Sequence, residues 1–270
     1  MRMPLALPMI ATLLLTGGGQ VVSAQVALPA LPDVTRSLPT LPDIGAERLI
    51  GVADTLTQAR IERITALLRG HREQIEADER GEPAVRGVLV ASGVDDIMVK
   101  RAAEQGYALI DREHIDGLGL DIARFRVPDS RSLGRARKQL ARLLPDAEVD
   151  VDNIYFASGP GGALPGTALA TAAPGGGVSL GLIDGGVAAH PSLAGRVEQR
   201  GFASGAPSAS QHGTAVASLL VGTGAVRGAA PGRRLLAADV YGSDPAGGNA
   251  SAIARALGWL VQSGVAVTTI

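Results

Sequence analysis

Asp184 closes the apolar run Val178-Ser-Leu-Gly-Leu-Ile183, and His212 opens the stretch His212-Gly-Thr-Ala-Val-Ala-Ser-Leu-Leu-Val221. An acid at a strand terminus can hold an imidazole in one tautomer and stabilise the imidazolium that forms when the ring takes a proton. A histidine at a helix start, so held, can act as a general base. Gly185-Gly186 follow the acid, and without side chains the backbone there can turn sharply, leaving the carboxylate facing the crevice above a sheet. Taken singly, Asp-Gly-Gly reads as a turn or capping aspartate and a histidine at a helix start as a structural residue. Their joint occurrence in one α/β unit makes Asp184 and His212 candidate catalytic residues, two thirds of a nucleophilic-hydrolysis site.

The elements that must position this pair alternate in type. A strand at 178–183 is followed by a helix from His212 and a strand over Leu235 to Tyr241. A helix over Asn249 to Gln262 carries Ile253, Leu257, Leu260 and Val261 on one side, and a strand over Val265 to Ile270 comes last. Strands alternating with helices predict an α/β fold whose parallel sheet is covered on both faces and carries its sites at the strand C-termini. Between Arg86 and Asp152 the pattern is different: strand (88–91), helix (94–105), strand (107–110), strand (118–127), helix (131–144), strand (147–151). That β-α-β-β-α-β order is the ferredoxin-like arrangement, which hosts many functions and decides none.

Three further segments precede or join these blocks. Residues 46–82 show Leu49, Val52, Leu56, Ile64, Leu68, His71 and Ile75 at helical spacing amid Arg and Glu, an amphipathic helical segment. His71 has no acidic or histidine neighbour at ligand spacing and reads as structural. Residues 25–45 repeat Leu-Pro, an extended spacer. Residues 156–177 contain no charged residue and are mostly glycine, alanine and proline, an exposed linker.

The first 24 residues combine Arg2, a short apolar core and a small-residue close at Val22-Ser23-Ala24. They read as a signal peptide cleaved after Ala24, which predicts a secreted or periplasmic product with no stable membrane span after cleavage. At 270 residues and 46% hydrophobic content the chain can bury a core. Its net charge of −1 gives no electrostatic case for nucleic acid. With no cysteine, disulfides, thiolate catalysis and Cys-ligated metal are all excluded.

Gly181-Leu-Ile-Asp-Gly-Gly-Val187 and Gln211-His-Gly-Thr-Ala-Val-Ala217 resemble the aspartate and histidine motifs of the subtilisin-like serine peptidase family (peptidase S8), and Gly228-Ala-Ala-Pro-Gly232 with Leu235 to Tyr241 extends the likeness. The resemblance covers 178–270, the N-terminal part of such a peptidase domain. The middle place of the usual Asp-Thr/Ser-Gly is taken by Gly185, which removes a hydroxyl near the acid. The resemblance implies a serine-type endopeptidase acting on polypeptide substrates, and makes residues 83–155 a propeptide-like domain, an intramolecular partner that templates folding and then inhibits. It also implies a maturation cut in or near the linker.

In that family the oxyanion-hole asparagine and the Gly-Thr-Ser nucleophile come after the strand that ends at Ile270. The resemblance therefore predicts a fragment of a serine protease, inactive by itself because the catalytic serine is missing. Ser218, Ser243 and Ser251 lack a nucleophile-elbow context. No cofactor is expected; calcium in a complete enzyme stays open, since the acids show no ligand-spaced loop. A second reading is an inactive inhibitor or binding module. A nucleotide-binding Gly-rich loop fails on spacing, because Arg227 stands where a third glycine is needed after Gly222-Thr-Gly224.

Overall fold

The computed structural model describes residues 46–157, 178–224 and 227–270. The segments read from the sequence as signal peptide and spacer, and residues 158–177 of the segment read as a linker, lie outside the described residues. The chain clusters into two units, 1–53 and 54–270; of the first, only the start of one helix is described.

Helix α1 (Ala46–Gly70) covers most of the segment read as helical but ends sooner than the helical spacing through Ile75 implies. Gly70 supplies poor helix propensity, and after a turn at His71 the chain forms strand β1 (Ile75–Ala77). Ile75 is fully buried and pairs with Val85 of β2 (Pro83–Ser92). Then follow α2 (Asp96–Glu104), β3 (Ala108–Ile115), β4 (Leu120–Arg126), α3 (Leu133–Leu143) and β5 (Glu148–Asn153). From β2 to β5 the order is β-α-β-β-α-β, and the antiparallel sheet runs β5-β2-β4-β3, with β1 on the first residues of β2. Leu89, Tyr107, Phe125, Leu140 and Leu144 form its core against α2 and α3. The Tyr107 hydroxyl, buried among them, donates to the Ala136 carbonyl at 3.0 Å, so its polar end is satisfied.

The second block contains β6 (Leu180–Asp184), a 3-10 turn (Pro191–Leu193), β7 (Val197–Gly201), α4 (Gln211–Val221), β8 (Leu235–Asp239), α5 (Ala250–Gln262) and β9 (Val267–Thr269). All pairings are parallel, in the order β7-β8-β6-β9. Successive strand residues face opposite layers, as the pleat requires. Leu182, Val197 and Leu235 pack with Val221 of α4, while Ile183, Leu236 and Ala238 pack with Ala252 and Leu260 of α5. Strand β7 has no counterpart in the sequence reading, because Glu198, Gln199 and Arg200 conceal it as an edge strand with a polar face.

The two sheets meet at the start of α5. Asp152 of β5 is buried and accepts from the Ser251 amide (3.1 Å) and the Ser251 hydroxyl (3.0 Å). Burial raises its pKa, and the Ser251 bonds with the Arg124 and Arg255 charges only partly offset that. A carboxyl whose folded pKa lies above its unfolded value costs nothing below the unfolded value, and its penalty grows as pH rises toward the folded one. Raising the pH above the ordinary aspartate value of 3.8 is therefore expected to lower stability through this group, until the folded-state value is passed. Asp111, held low chiefly by its hydrogen bond from Arg124, acts in the opposite sense at pH below 3.8, so the two windows do not overlap. Urea midpoints across pH should show the Asp152 slope in the wild type and its loss in Asp152→Asn.

Candidate active site

Asp184 is the last residue of β6 and His212 the second of α4. The His212 Nδ1 lies 2.6 Å from Asp184 Oδ2. A carboxylate only accepts, so Nδ1 carries the proton and Nε2 is left with its lone pair. The other oxygen, Oδ1, accepts from the Gly185 amide at 2.6 Å. The Asp184 side chain is 7% exposed and that of His212 25% exposed, so the ring shields the acid while keeping an edge toward solvent. The two sequence-selected residues thus stand together as a hydrogen-bonded dyad.

Their neighbours hold them from several sides. Ser210 caps α4, its Oγ accepting from the Gly213 amide at 2.9 Å. Thr214 donates through its hydroxyl to the Ser210 carbonyl (2.6 Å) and accepts from the Ala188 amide (2.9 Å), which ties the segment after Asp184 to the helix. Gln199 of β7 brackets Val187, accepting from its amide at 3.0 Å and donating to its carbonyl at 3.2 Å. A Cβ at residue 185 would meet Ser210 Oγ at 2.5 Å, so Ser210 occupies the space that a side chain at residue 185 would need. Replacing Ser210 with alanine is expected to cost about 1 kcal/mol by loss of the cap, read as a lowered urea midpoint, and to loosen His212 with it.

Above the dyad lies a cavity of about 480 Å³, lined by Asp184, His212, Ser208, Tyr241 and Asp244 together with Tyr155 and Phe156. One wall is the segment leaving β5, which lies against residues 248–249. The Tyr155 amide donates to the Gly248 carbonyl at 2.9 Å, and Ile154 bridges antiparallel to Asn249, so the segment leaving β5 pairs with the cleft rim. Burial, then the charges of Asp184 and Asp239, push the Tyr241 hydroxyl up to about 12, with Arg63 opposing. It is therefore a neutral donor in the cleft.

Asp239, absent from the sequence reading, organises that wall. Its Oδ2 accepts from the Ser208 amide at 2.6 Å and its Oδ1 from the amides of Tyr241 (3.0 Å) and Gly242 (2.9 Å). It ends β8 in register with Asp184 at the end of β6, and the repeat of Leu-x-x-x-Asp in the two strands was the available signal.

Among the described residues no hydroxyl is hydrogen-bonded to His212. Ser218 donates to the Thr214 carbonyl and Ser251 to Asp152, which removes two of the serines considered from the sequence. No group of three or more His, Asp or Glu side chains is placed to hold a metal ion among the described residues, nor is any described helix long and apolar enough to cross a membrane.

No curated protein and no solved structure matched the chain. A model of the subtilase family matches residues 175–270, the stretch that forms the parallel sheet, the dyad and the cleft rim. Residues 175–270 are accordingly a domain of the subtilase family, peptidase S8.

Proposed function

We propose that this chain belongs to an exported serine endopeptidase in which Asp184 orients His212, and His212 removes the proton from a serine that attacks a peptide carbonyl. The 2.6 Å contact from His212 Nδ1 to Asp184 carries the reading, because it leaves Nε2 free to accept a proton and the acid in place to stabilise the imidazolium. Protonated His212 would next give its proton to the leaving amine; water would then repeat the cycle on the acyl intermediate. In this reading the serine and the oxyanion donors would be supplied outside the described residues, among which no hydroxyl is hydrogen-bonded to His212. Residues 83–155 would be the propeptide: their exit segment lies along the cleft rim, where an extended substrate would pair with the Gly248 edge. The short apolar leader supports secretion or a periplasmic location.

The gene's whole reading frame provides the test. Its product would be treated with a fluorophosphonate, which phosphonylates only an activated serine, and assayed on an unfolded protein. Labelling of one serine that disappears in the His212→Ala variant supports the assignment. Neither labelling nor turnover would leave an inactive binding or inhibitory module.

A further inference from the structure

Helix α1 lies outside the β-α-β-β-α-β unit, yet its C-terminal part stands over the cleft. Arg63, Ala66 and Leu67, with His71 just beyond the helix, line the same cavity as Asp184 and His212. The Arg63 guanidinium sits 4.6 Å over the Phe156 ring, and its Nη1 donates to the Ala157 carbonyl at 3.3 Å. Leu67 and Leu68 pack on a cluster made by Ile75 and Ile154 with Phe156 and Ala246, the last from the loop that forms the cleft rim. One helix face therefore touches both the segment leaving β5 and the rim on which that segment pairs. The Arg60–Glu82 ion pair, 2.5 Å, adds an exposed tether of small worth.

From this we infer that α1 is a clamp: it holds Ile154–Ala157 against the Gly248 edge and closes the cleft above His212, so that inhibition needs the helix as well as the exit segment. The inference rests on the peptidase reading of the cleft, but its physical content does not depend on turnover. Two backbone contacts, Tyr155 to Gly248 and the Ile154–Asn249 bridge, are few to hold an extended segment in place. The Arg63 stack and the Leu67 contact add to these and to the Ile154 amide's bond to the Pro83 carbonyl (2.8 Å). Both are side-chain contacts that a partner or a protease acting on α1 could remove without unfolding either sheet.

The test uses the 270-residue chain with Arg63→Ala/Leu67→Ala, and Arg63→Gln as a milder second variant. Amide exchange followed by mass spectrometry reads the segment 152–157, and reaction with diethyl pyrocarbonate reads access to His212, with His114 and His190 as internal references. Losing a cation–π contact and a leucine side chain is expected to speed exchange at Tyr155 by at least about tenfold in the double variant. His212 should be acylated several-fold faster, with Arg63→Gln intermediate in both readouts. Exchange in β2, β4, β6 and β8 should keep its wild-type rate. Unchanged exchange at Tyr155, or a released segment with His212 no more reactive, overturns the clamp. Global loss of protection in the double variant passes the decision to Arg63→Gln by the same criteria. Failure of the peptidase reading would instead show as absent serine labelling, whatever α1 does.

Discussion

Replacing His212 with alanine is expected to lower kcat by about 10⁶ in any form of the protein that hydrolyses peptides, the scale on which loss of a triad histidine acts. Asp184→Asn should lower it by about 10⁴, because the amide favours the wrong tautomer while keeping the shape. The two losses should not add, since the acid acts only through the ring. KM should change little for both, as each group acts on the proton that moves in the chemical step. The 270-residue chain offers an independent check: the low-field Nδ1 proton of His212, expected from the 2.6 Å contact with Asp184, should vanish in Asp184→Asn with the fold intact.

Gly213→Ala is expected to be the most damaging small change at the site. Inside a helix this exchange normally gains about 1 kcal/mol. Here the added Cβ would lie 2.2 Å from the Gly185 carbonyl oxygen and 2.8 Å from Ser210 Oγ. Backbone cannot swing aside as a flexible side chain can, so overpacking of roughly 1–3 kcal/mol outweighs the propensity gain. The urea midpoint should fall. Displacement of residue 185 also pulls on Asp184, whose Oδ1 holds the Gly185 amide, and a shift near 1 Å at a catalytic group costs about 10² in rate. A rise in the midpoint would show that α4 can slide away from the β6 turn, and that the glycine of His-Gly-Thr is not there for close approach.

The dyad was legible in the sequence because its determinants are local: a strand that ends in Asp, a helix that begins with His, and glycines where the backbone must turn or approach. Most elements around it were legible for the same reason, since Leu182/Ile183 and Leu235/Leu236 are continuous apolar runs of a sheet buried on both faces. What escaped depended on distant partners. Ile75 continues the helical spacing of α1, and only its pairing with Val85 makes it a strand residue. Strand β7 is half polar, yet Gln199 turns inward to bracket Val187. Asp239 sits in an apolar run, and its task exists only because Ser208, in the loop before α4, comes within reach. The place of α1 over the cleft followed from no periodicity at all. Gly185, read as the loss of a hydroxyl, leaves room that Ser210 fills.

The contact between Asp152 and Ser251 also bears on the order in which the molecule assembles. On a ribosome β2 to β5 emerge first. The parallel sheet must wait for β8 and β9 to follow β6 out of the tunnel. When α5 leaves the exit tunnel, an acceptor for its first turn already stands in place on β5.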